Sequence, residues 1–147
     1  MSKEILENNL DSFNERLPIL NDRDIVNIRS KGRKFASDLG FRNQDQTLIA
    51  TALSEICRNV IEHAGKGEVI IKSVIIGKKI GISFIVKDNG PGIKNLDRAL
   101  QFGYTTGRGM GVGLSGTKRI MDEFELETKQ GVGTTVTMTK WLNEFEY

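Results

Sequence analysis

From Asn43 to about His63 the chain carries helical periodicity, and then two β-rich runs follow back to back, GEVIIKSVIIG (67–77) and IGISFIVKD (80–88). Strands separated only by Lys78-Lys79 read as an antiparallel hairpin, because a parallel connection needs a crossover of about a dozen residues or more. The flanking segments extend this order. Leu17 to Leu20 reads as a first strand, placed at a sheet edge because Pro18 cannot donate to a ladder. Asn21 and Asp22 offer caps for a helix over 22–39 that stops at Gly40, with Ile25, Ile28, Phe35, Ala36 and Leu39 on one face. Gly32 inside that helix marks a close helix contact. In the 43–63 helix, Leu48, Ile49, Ala52, Leu53, Ile56, Val60 and Ile61 recur at helical spacing, and Gly65 stops it. A short helical stretch near 96–102, a helix over about 112–123, and a closing hairpin of 125–129 with 134–141 complete the chain. Helices, strands, helix, strands without strict βαβ alternation predict an α+β two-layer sandwich, a mixed, mainly antiparallel sheet with helices on one face. Residues 1–16 are read as an extension and 17–147 as one domain.

Composition narrows the function classes. The 147 residues fit one domain, and a hydrophobic content of 38% argues against disorder. A net charge of +2, with Lys and Arg scattered among acids, gives little support to nucleic-acid binding. No apolar stretch of membrane-spanning or signal-peptide length occurs, and Cys57 is the only cysteine, so a reducing cytosol fits. A single histidine, His63, removes histidine-rich metal sites and leaves little for a histidine-based hydrolase. Glycine is the excess: 16 of 147 residues, about 11% against a usual share near 7%.

Four constellations could carry chemistry. Glu55, Asn59 and His63 stand at i, i+4 and i+8 and stack on one helix face, where an acid and an amide can hold a hydrated cation; the bland reading is a solvated polar stripe. Asp88-Asn89-Gly90-Pro91-Gly92 ends a strand. Asn-Gly there is ordinarily a hairpin turn, but Pro91 cannot start a paired strand, and an acid followed by bare backbone suits a ligand's amino group. The third runs Thr105, Thr106, Gly107, Arg108, Gly109, Met110, Gly111, Val112, Gly113, Leu114 into a helix. Alternate glycines let successive backbone N–H groups face one anion, with the helix N-terminus behind them: a phosphate cradle rather than a linker. Gly111 to Gly116 also satisfies G-x-G-x-x-G, but no strand directly precedes it and no ribose-binding acid follows, so a dinucleotide fold is excluded. Neither a Walker A lysine triplet nor the VAIK, HRD and DFG set of eukaryotic-type kinases is present. The fourth, Gly131-Val132-Gly133-Thr134-Thr135-Val136, reads by itself as a turn before a strand.

In this order and spacing the four resemble the N, G1, G2 and terminal G-T boxes of the GHKL ATPase superfamily, which includes gyrase, Hsp90-type chaperones and histidine kinases. With no room for a transducer domain, the chain is most similar to the anti-sigma-factor and serine-kinase branch. DQTLIATALSEICRNV, DNGPGI, TTGRGMGVGLSGTKRIMDEF and GTTVTMTKWL resemble the stressosome switch kinases over about residues 20–142. The resemblance implies a Bergerat-type fold, ATP and Mg²⁺ as cofactors, Glu55 as general base and Asn59 as magnesium ligand. It also implies Asp88 as acceptor from the adenine amino group, Gly90 and Gly92 against the base, residues 106–114 around the phosphates, and Thr134 supporting the adenine contact. His63 takes the third place of the first box, where anti-sigma kinases can carry histidine. The implied partners are STAS-domain proteins, a PP2C-type phosphatase and, in an alternative reading, a sigma factor. A non-catalytic nucleotide-gated binding module is the other alternative, against which the presence of Glu55 argues.

Overall fold

The computed structural model of the protein describes residues 14–93 and 113–142. The expected short helix near 96–102 lies outside them. The described elements are β1 (Asn14–Ile19), α1 (Asp22–Leu39), α2 (Asn43–Ala64), β2 (Gly67–Ile76), β3 (Lys79–Asp88), α3 (Gly113–Ile120), β4 (Glu123–Lys129) and β5 (Gly133–Trp141). They form one sheet in the order β1-β2-β3-β5-β4, and every pairing is antiparallel. The α+β class holds, and among the described residues the sheet has no parallel pair.

Strand alternation explains the layering. Val69, Ile71, Ile82, Phe84, Val86, Val136 and Met138 point to one face and are buried. Against them pack the apolar stripes of α1 and α2, with Ile25, Ile28 and Ala36 from the first and Ile49, Leu53, Ile56 and Val60 from the second. At Gly32 a Cβ would run into Leu53 Cδ1, so the glycine inside α1 is where the two helices approach. Cys57 is fully buried in this core, and burial pushes its thiol up to about 12, which leaves it inert.

Element ends differ from the periodicity in four places, each traceable to a particular hydrogen bond or backbone conformation. β1 spans Asn14–Ile19 rather than Leu17–Leu20. The Leu20 N–H instead turns to Asp24 Oδ2 at 2.8 Å, while Asn21 caps α1 by accepting from the Asp24 N–H at 3.1 Å. Pro18 lies on this edge strand as expected. The β2–β3 turn is Gly77-Lys78, not Lys78-Lys79, because Gly77 takes φ +63°, the glycine-favoured first position of a type II′ turn. α3 stops at Ile120 rather than near Glu123. The Asp122 N–H already donates to Thr139 O at 3.0 Å and Asp122 Oδ2 accepts from the Trp141 N–H at 2.7 Å, so the sheet captures the chain there. For the same reason β4 begins at Glu123 instead of Glu125.

Candidate functional site

α2 lays Glu55, Asn59 and His63 along one side, as their spacing requires, but the stripe is not uniformly solvated. Glu55 is buried at 5% exposure, Asn59 is half-buried and His63 is exposed. A buried carboxylate needs partners. Glu55 Oε1 accepts from Arg58 Nη1 at 2.8 Å, and Oε2 faces the backbone N–H of Gly113 at 3.4 Å. Gly113 opens α3, so the acid sits where α2 meets that helix's N-terminus. Among the described residues the Asn59 amide has no hydrogen-bond partner. Leu114, expected around the phosphates, turns its side chain into the core at 8% exposure, so it can offer a ligand only backbone. Thr106, Gly107, Arg108, Gly109, Met110, Gly111 and Val112 lie outside the described residues.

Asp88 is the last residue of β3, on the helix-covered face, where Val86 precedes it by one alternation. It stands opposite Gly67 of β2 on one side and Thr134 of β5 on the other. Its Oδ1 accepts from the Gly90 N–H at 2.9 Å and the Thr134 N–H at 3.3 Å. No described residue bonds Oδ2. After Asp88 the chain leaves the sheet, as Pro91 predicts, and is tied to the β4–β5 turn: the Gly131 N–H donates to Pro91 O at 2.9 Å and the Ile93 N–H to Thr128 Oγ1 at 2.8 Å. Glycine is required where these segments cross. Gly133 has φ +145°, and a Cβ there would run into the Asp88 carbonyl oxygen. Gly133→Ala is therefore expected to lower stability by about 2 kcal/mol, through overpacking and an unfavourable backbone. Urea unfolding checks this, and an unchanged midpoint would contradict the crossing.

Thr128 went unnoticed in the sequence. Its only signal is its place in register with Thr134, which the hairpin pairing reveals. On the other side of Asp88, a cleft of about 330 Å³ is lined by Ala64, Lys66, Glu68, Lys87 and Asn89 among others. Asp88 itself lines this cleft, while Asn59 and Thr134 do not.

Two parts of this arrangement suit a purine nucleotide with magnesium: a carboxylate oxygen free to accept from an amino group, and an unpaired amide one turn from a buried acid. Among the described residues no three His, Cys, Asp or Glu side chains gather to hold a metal. Magnesium needs no such group, since it commonly takes one or two protein ligands and fills its shell with phosphate oxygens and water.

The sequence profile of the histidine kinase-, DNA gyrase B-, and HSP90-like ATPases matches residues 44–144. The chain belongs to that family. It is 44% identical over 124 residues to the serine/threonine-protein kinase RsbT of Bacillus subtilis (strain 168), covering 84% of this chain and 93% of that one. It is 37% identical over 114 residues to the anti-sigma F factor of Thermoanaerobacter sp. (strain X514), covering 74% of this chain and 78% of the relative. The fold is shared with the crystal structure of the RsbU and RsbW domains of a Mycobacterium tuberculosis protein, with a TM-score of 0.55 and 19% identity. That match covers 88% of this chain and 33% of the other. The SiaB–SiaC complex from Pseudomonas aeruginosa gives a TM-score of 0.54 at 11% identity, covering 97% of this chain and 99% of that one. As a GHKL ATPase domain, the chain uses ATP.

Proposed function

We propose that this protein is a Mg-ATP-dependent protein serine/threonine kinase that phosphorylates STAS-domain antagonist proteins in a partner switch and, when released, activates a PP2C-type phosphatase in the cytoplasm. The observation that carries the reading is Glu55, buried and turned to the N-terminus of α3, in a chain that matches a serine/threonine-protein kinase over 84% of its length. Burying a carboxylate is costly, and a general base at that junction gives the acid a catalytic use that a module only holding nucleotide would lack.

In this reading the nucleotide's base is taken up by Asp88 through Oδ2, with Gly90 and Gly92 leaving the adjoining backbone bare. The N-terminus of α3 and residues 106–113 receive the phosphates, His63 flanks the nucleotide, and Asn59 ligates magnesium. Bound magnesium supplies charge neutralisation on the phosphate oxygens, which phosphoryl transfer requires. Glu55 orients the incoming serine or threonine hydroxyl and takes up its proton, at an oxygen held loosely by the Gly113 N–H at 3.4 Å while Arg58 fixes the other. The remaining task is positioning two reactants in line, so partner choice falls to the protein surface rather than to the reacting groups.

Purified protein incubated with γ-labelled ATP and candidate STAS-domain proteins is expected to transfer label to a serine or threonine of one of them. Capture of a sigma factor, with no STAS protein or phosphatase retained, would favour the anti-sigma reading that the 37% identical relative supports. Nucleotide binding without transfer to any captured protein would sink the kinase assignment. Among the described residues no helix is long and apolar enough to cross a membrane.

A further inference from the structure

Thr128, Thr134 and Asp88 form a row across β4, β5 and β3, in register and on the helix-covered face. A threonine hydroxyl has one proton to donate and two lone pairs to accept with. Thr128 Oγ1 spends one lone pair on the Ile93 N–H at 2.8 Å. It lies 2.9 Å from Thr134 Oγ1 and 3.5 Å from Gly133 O. The first distance is close to that of a good O–H···O bond, and the second is at the outer limit. Either hydroxyl can donate in the 2.9 Å contact, and donation from Thr128 to Thr134 Oγ1 is the arrangement that leaves the Thr134 proton for a ligand. In that arrangement Thr134 accepts and keeps its own proton free to donate outward. Beside it Asp88 has Oδ1 occupied by two N–H groups and Oδ2 open, an acceptor.

The end of the sheet thus offers an acceptor and a donor side by side. A 6-aminopurine presents the complement, an amino donor next to the N1 acceptor. A 6-oxopurine presents an oxygen acceptor next to an N1–H donor and is mismatched at both positions. We propose that Thr128 is a positioning residue for base selectivity: it sets the proton of Thr134 toward the base and, through the Ile93 N–H, holds the chain leaving the Asp88 loop. This rests on the nucleotide site proposed above, and extends it to a residue that does not touch the ligand.

The test is calorimetric titration of the full chain and of Thr128→Val and Thr128→Ser with MgATP and MgITP, together with the thermal midpoint of each protein without nucleotide. Valine keeps the shape and strand propensity of threonine but has no hydroxyl; serine keeps the hydroxyl. Thr128→Val is expected to weaken ATP binding and lower the ATP-over-ITP preference about tenfold, the scale of one lost hydrogen bond. Thr128→Ser is expected to keep the preference, and the KM for ATP in phosphoryl transfer should rise in the valine variant with kcat little changed. An unaltered ATP-over-ITP ratio in Thr128→Val overturns the proposal, as does a serine variant impaired as much as the valine one. If Thr128→Val does not fold, the same ratio is read in Thr128→Ala, with the same criterion. A wild-type chain that binds neither nucleotide overturns the nucleotide site itself, a result distinct from failure at Thr128 alone.

Discussion

Glu55→Gln is expected to retain ATP binding while lowering phosphoryl transfer to a partner protein about 10²- to 10⁴-fold, the range for removal of a positioned general base. The substitution is close to isosteric. Glutamine can still accept from Arg58 or from the Gly113 N–H, so the α2–α3 junction keeps its shape, but it cannot take up a proton from the attacking hydroxyl. Single-turnover transfer with labelled ATP measures the chemical step, and calorimetry in parallel measures the nucleotide. Undiminished transfer would remove Glu55 from the role of base. Loss of nucleotide binding together with transfer would instead make it a structural acid.

For Asp88→Asn the expected outcome is a fall in ATP affinity of about 30-fold, corresponding to roughly 2 kcal/mol for a hydrogen bond to a charged acceptor. Asparagine can keep an oxygen toward the Gly90 and Thr134 N–H groups, which preserves the loop. Its amide nitrogen then replaces the open carboxylate oxygen and presents a donor where an amino group would approach. ITP, whose oxygen at that position would welcome a donor, should lose much less. Calorimetry with both nucleotides separates a change in base reading from collapse of the site. Equal losses for both, or none, would contradict Asp88 as the acceptor for the base.

The two long helices, the central hairpin and the order of the elements were readable from periodicity and from the glycines at 40 and 65, because those signals are local. The same is true of the row Glu55, Asn59, His63, since helical spacing alone puts these residues on one side of α2. What periodicity could not convey was their gradient of exposure. Glu55 lies buried where α3 arrives from almost sixty residues away, with Gly113 facing its carboxylate. The ends of α3 and β4 were misplaced because Asp122 is captured by Thr139 and Trp141 across the sheet, a competition between helix and ladder that no local window contains.

Thr128 shows the limit most plainly. In the sequence it is one β-prone residue in LETK; in the structure its hydroxyl joins the Asp88 loop to Thr134. The chain's own order of motifs and elements determined the family, the fold class and the candidate acid, amide and carboxylate, because each is written in local patterns and in their succession along the chain. Tertiary structure alone decided that Glu55 is buried against α3, that Asp88 has one oxygen engaged and one open, and that a threonine on the edge strand completes the row. Hydrogen-bond direction and desolvation depend on which groups meet across strands, and that is set by register and packing.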